Sequence, residues 1–174
     1  MRKIFILSIL ACFSSITVAD STSSYVGQES REIKALSQEK VRGLLDGNGL
    51  GYAKVAELNG YPGPAHVLEL SKELQLSEEQ KEQTEELFNT MKNNAKVLGS
   101  DLITAEKELE IAFVSGEISE SKVTSSIQNI ALIEGKLRAV HVNAHLVQKA
   151  ILTPNQVHTY NKLRGYSSKG HHHH

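Results

Sequence analysis

Two long stretches of this chain, residues 78–114 and 119–151, repeat apolar side chains at steps of three and four. The only break between them is a short turn around Gly116. In the first, Leu87, Met91, Leu98, Leu102, Leu109 and Phe113 fall on one stripe; in the second, Ile127, Ile130, Leu137, Val140, Ala144, Val147 and Ile151 do. That period belongs to amphipathic helices. A short turn between two long helices forces them antiparallel. The spacing therefore predicts an all-α fold, a hooked antiparallel hairpin of two long helices with short flanking helices. Each stripe is too narrow to be buried by its partner alone. Flanking helices or a second copy of the chain must cover the rest, so a homodimer is expected.

The hairpin is bracketed by two similar restarts, Leu76-Ser77-Glu78-Glu79-Gln80 before it and Leu152-Thr153-Pro154-Asn155-Gln156 after it. Each is a capping box. A hydroxyl at the cap accepts the amide three residues on, and the Gln there returns to the cap amide. Pro154 suits a first helical position, and Ser119 with Glu120 starts the second long helix favourably for its dipole. Shorter helical pieces are expected at Ser37–Leu45, Tyr52–Leu58, Ala65–Leu74 and from Pro154 to about Leu163. Asn59-Gly60-Tyr61-Pro62-Gly63-Pro64 is a dense turn signal. The segment at 20–36 begins Ser/Thr-rich and reads as a flexible lead. Residues 37–164 read as the helical domain, and 165–174 as a flexible His-rich tail.

At 174 residues this is one domain's worth of chain. A formal net charge of −1 lacks the basic excess of a nucleic-acid binder. Cys12 is the sole cysteine, which excludes an internal disulfide and a Cys-based zinc site. No nucleotide loop or serine-centred elbow occurs, so no enzymatic activity is expected. Arg2 and Lys3, an apolar run from Ile4 to Phe13, and small residues ending Thr17-Val18-Ala19 follow the order of a secretory signal. The apolar run is about half the ~20 residues a spanning helix needs. Residues 1–19 are thus expected to be a cleaved signal peptide that delivers the chain to the periplasm. A lipoprotein attached through Cys12 is the lesser alternative, because Leu10 fits a lipidation motif poorly.

The two restarts match an LTxxQ pattern, one before the first long helix and one after the second. Over about residues 60–164 the chain resembles the Spy/CpxP family of small periplasmic stress proteins. The Gly49–Pro64 segment looks closest to the related periplasmic heavy-metal sensor and resistance branch. The resemblance implies a hooked helical hairpin, often dimeric. It also implies either an ATP-independent chaperone that holds unfolded clients or a protein that binds transition metals and reports or buffers them, with an envelope-stress sensor as a further partner. The chain shows no second membrane segment of the kind a tethered sensor would carry.

His141 and His145 lie one helical turn apart on one face, as a divalent metal site needs. Registered through a pivot near Gly116, His145 falls opposite Phe88 and His141 opposite Lys92, one step from Met91. If the chain doubles back near Gln75-Leu76, His66 comes beside Glu85 and Glu86. The candidate ligand set is His66, Glu85, Glu86, His141 and His145. Met91 is better read as core, and the two glutamates read equally well as a solvated face. An N/O set of this kind suits Zn, Cu, Ni or Co. The resemblance implies His and carboxylate ligands from the early helices, and a His with a residue four later on the second long helix. His145 stands where relatives can carry Met. His171, His172, His173 and His174 form a terminal run that would capture the same metals loosely, whether native or an expression tag. Glu106, between Leu102 and Leu109, needs a partner for its carboxylate or a place at an exposed edge. The expected function is periplasmic metal binding in stress, heavy-metal resistance or sensing, with the Spy-type chaperone as the alternative.

Overall fold

The computed structural model describes residues 22–166, which contain six helices. These are α1 (Gln38–Leu45), α2 (Lys54–Glu57), α3 (Pro64–Glu69), α4 (Glu78–Val114), α5 (Glu120–Ile151) and α6 (Pro154–Leu163). The chain forms two compact units that divide at Ser30 and Arg31. The described part of the first is a run of turns, closed by hydrogen bonds from Val26 N–H to Ser23 O and from Gln28 N–H to Tyr25 O. The six helices of the described residues belong to the second. The expected targeting segment and the terminal histidines lie outside the described residues. Among the described residues no helix is long and apolar enough to cross a membrane.

α4 and α5 start and stop where their caps require. Ser77 Oγ accepts the Gln80 amide at 3.1 Å and Gln80 Oε1 accepts the Ser77 amide at 3.1 Å. Ser119 Oγ accepts the Lys122 amide at 3.3 Å. Gly116, at φ +71°, ends α4 in the left-handed conformation that costs glycine least. At α6, Thr153 and Gln156 build the second box, with amide-to-side-chain distances of 3.3 and 2.9 Å. The two boxes then join. Gln80 and Gln156 exchange amide hydrogen bonds in both directions at 2.9 Å. The spare N–H of Gln80 reaches Ile151 O at 2.9 Å, and that of Gln156 reaches Leu74 O at 3.2 Å. Residues that cap helices locally thus also tie the open end of the hairpin together.

The main core runs along the α4–α5 seam. Ala95, Leu102 and Ala105 of α4 meet Ile130 and Leu137 of α5, and Leu44 of α1 closes over them with Ile33 and Leu36. Each large side chain buried here contributes about 1.5–3 kcal/mol. α1 lies so close that a Cβ on Gly99 would stand 2.4 Å from Leu44 O. A smaller cluster of Val67, Leu74, Leu152 and Tyr160 packs the open end. Beside it, Gln148 donates to Thr84 Oγ1 at 3.1 Å, which fixes the hairpin register where the His pair sits.

Three sequence expectations need correction. The compact helical unit begins at Arg31 rather than at 37. Ile33 and Leu36 are buried in the main core, and Glu32 and Lys34 pair with Lys107 and Glu110 of α4. The helix expected to reach Leu74 stops at Glu69, and turns carry the chain to Gln75 at φ +51°. Phe113, Ile127 and Val147, assigned to the buried stripes, are exposed. Phe113 and Ile127 lie toward the turn of the hairpin, beyond the flanking elements; at 147 the inward arc belongs to Ala144 and Gln148.

Candidate functional site

Two successive turns in the C-terminal half of α5 each turn a histidine inward, and the fold buries both. His141 is 2% exposed and His145 9%. The i, i+4 spacing brings both to one cavity of about 540 Å³. Phe88, Met91 and Lys92 of α4 form the opposite wall, as the sequence register anticipated. The 47–54 and 57–66 segments close the remaining sides.

His145 is held firmly. Its Nδ1 lies 2.7 Å from Tyr61 O, so Nδ1 carries the proton that a carbonyl must accept. That leaves the lone pair on Nε2, the tautomer a metal ligand needs. A Cβ on Gly63 would stand 3.0 Å from this Nε2 and 2.9 Å from Cε1, so only glycine leaves room for the ring. His141 stacks on Tyr52, with ring centroids 6.0 Å apart and planes within 10°. Its Nε2 is buried with no hydrogen-bond partner. Burial first, and His145 second, push the His141 pKa below its ordinary value, which favours the neutral imidazole with a free lone pair. Tyr52 in turn donates to Glu134 Oε1 at 3.0 Å. Its phenol is pushed up to about 12 by burial and then by that carboxylate.

His66 lines the same cavity from α3, half-buried. It does not sit with Glu85 and Glu86 as expected. Its Nδ1 lies 2.9 Å from Oε2 of Glu69, three residues on in its own chain. Glu85 and Glu86 are exposed on α4 and do not line the cavity, because Thr84, Leu87 and Phe88 occupy the inward arc there. The structure thus brings together His66, His141 and His145, and leaves Glu85 and Glu86 outside. As the side chains stand, no group of three or more His, Cys, Asp or Glu among the described residues is disposed to hold a metal ion. His171 to His174 lie outside the described residues. Glu106 is half-buried and its carboxyl is raised by burial; Lys40 of α1 opposes that shift and Glu134 adds to it.

The carboxylate at the cavity is one the sequence reading missed, Glu57 of α2. Its Oε1 accepts from the Tyr160 hydroxyl at 2.6 Å and the Tyr166 hydroxyl at 3.2 Å, and Arg164 Nε lies 3.4 Å away. Its Oε2 is buried without a hydrogen-bond partner, 3.6 Å from His145 Nδ1. A four-residue helix has no periodicity to show which way Glu57 points, so the resemblance marked its segment without marking the residue. Comparison of the chain with protein-family models, curated proteins and solved structures gives no match.

Proposed function

We propose that this chain binds a divalent transition metal, of the Zn, Cu, Ni or Co class, through His141 and His145, in the setting of periplasmic stress, heavy-metal resistance or sensing. The supporting observation is the buried His141 Nε2, left without a hydrogen-bond partner beside a second imidazole whose tautomer is fixed for ligation. A bare buried ring nitrogen costs stability unless something fills its lone pair. Two imidazoles one helical turn apart are a two-ligand start that an ion completes with water or a further side chain. The signal-like first segment and the resemblance to the Spy/CpxP and heavy-metal-sensor proteins, both read from sequence, supply the cellular setting. No reaction is assigned.

The test uses the chain with His171, His172, His173 and His174 replaced by alanine. Calorimetric titration with each of the four metals should show binding that the His141→Ala, His145→Ala double variant weakens by more than about tenfold, or 1.4 kcal/mol. Equal binding by the two proteins would end this reading.

One observation favours the chaperone alternative. Ile111, Phe113, Val114, Ile127 and Leu132 are large apolar side chains exposed on the turn-side half of α4 and α5. Such a surface suits an unfolded client, or the second copy expected from the narrow stripes. Aggregation of a denatured client should slow at equimolar chain, and much less with Phe113→Ser, Val114→Ser. No slowing at several-fold excess removes the holding role.

A further inference from the structure

An ion held by two imidazoles keeps its other coordination positions open. Among the described residues no third His, Cys, Asp or Glu joins His141 and His145 in a group disposed to hold it. We infer that these positions are filled from outside the chain: the cavity takes the metal as its complex with a small hydroxy- or amino-carboxylate, a chelate rather than a bare ion. This rests on the reading that His141 and His145 hold the ion.

Room is the first ground. The cavity measures about 540 Å³. An ion with four waters fills only about 120 Å³, at about 30 Å³ for each water. Sites for small organic molecules span about 300–1,000 Å³. The walls are largely carbon, with Leu50, Leu58, Phe88 and Met91 on them. Waters on the ion would face these side chains without hydrogen-bond partners, whereas the carbon skeleton of a chelator packs against them.

Charge is the second. Lys54 of α2 and Lys92 of α4 line the same cavity. Lys92 Nζ is held over the Phe88 ring, 5.5 Å from its centroid. The carboxylate on the wall, Glu57, is matched within the chain by Arg164 Nε at 3.4 Å, so it leaves the lysines uncompensated. Two ammonium groups raise the cost of a bare dication and favour the same dication surrounded by anionic ligands. Glu57 adds a requirement of its own. Its Oε2 is buried and accepts no hydrogen bond. A chelator that brings a hydroxyl or an amine N–H, besides its carboxylates, satisfies that oxygen. Glu57 is then a recognition group for the organic ligand and no part of the coordination shell.

The experiment dialyses the full chain, its four terminal histidines replaced by alanine, to equilibrium against Co(II) and radiolabelled citrate, and reads both components. Calorimetry with Co(II) alone supplies the affinity for the bare ion. Citrate is expected to stay with the chain only when Co(II) is present, and the His141→Ala, His145→Ala double variant to retain neither. Lys54→Gln, Lys92→Gln should lose more than about tenfold in citrate retention at saturating Co(II) while its affinity for bare Co(II) rises, a split that general damage to the fold does not produce. Should that double variant fail to fold, Lys54→Gln alone, at an exposed position, is expected to show the same split, and no change in either quantity overturns the inference. If citrate merely strips Co(II) from the chain and is not itself retained, the inference falls and the imidazole reading stands on its own. If Co(II) binds neither alone nor with citrate, or binds regardless of the imidazoles, both fall.

Discussion

His141 is the residue at which stability and the proposed binding meet. Its pKa is lowered in the folded chain, so the unfolded chain takes up a proton first as pH falls. The metal-free protein should therefore hold its full stability above about pH 6.5, the ordinary imidazole value, and lose part of it as pH drops toward the depressed folded value. Thermal melts at pH 7.5 and pH 5.5 should show a larger fall for the wild type than for His141→Gln, which has nothing to protonate there. Equal falls would mean that the burial of this ring carries no proton linkage. At this scale the sequence was half legible. The pair His141 and His145 stood out because a four-residue spacing puts two imidazoles on one helical face, although nothing in that spacing announced that both would be buried. Glu57 did not, because its partners Tyr160, Arg164 and Tyr166 lie about a hundred residues away in sequence. His66 was placed on the right cavity with the wrong neighbours, since a short-range partner, Glu69, was already within reach of its ring.

The long helices were the most legible elements. Capping chemistry and apolar period agreed on both ends of α4 and α5, and such agreement between levels is what makes a local reading reliable. α3 was less so: Leu70 and Leu74 continue a helical spacing, yet the backbone leaves the helix after Glu69 to make the turn toward Ser77. Two glycines inside the long helices show how tertiary contact overrides propensity. Both Gly99 and Gly135 weaken a helix in isolation. At Gly99 a Cβ would meet the Leu44 backbone, whereas at Gly135 nothing lies within 4 Å. Gly99→Ala should destabilise by about 1–3 kcal/mol through displacement of α1. Gly135→Ala should stabilise by about 0.5–1 kcal/mol. Denaturant melts of the two variants check both signs, and a shift in the same direction for both would contradict the packing argument.

For the molecule as a whole, burial is uneven along the hairpin. Flanking helices and the lead from Arg31 cover its seam and its open end, while the apolar side chains near the turn stay in contact with solvent. The sequence could announce that the stripes needed more cover than each helix gives the other. It could not say which stretch would be left bare, because that depends on where short flanking pieces dock. The paired amides of Gln80 and Gln156 carry a last consequence. Each glutamine closes its own helix start and grips the other, so neither end can fray without releasing its counterpart. The beginnings of α4 and α6, far apart in the chain, should open to solvent deuterium as one event. The end of the hairpin that houses the histidines is thereby the slower one to breathe.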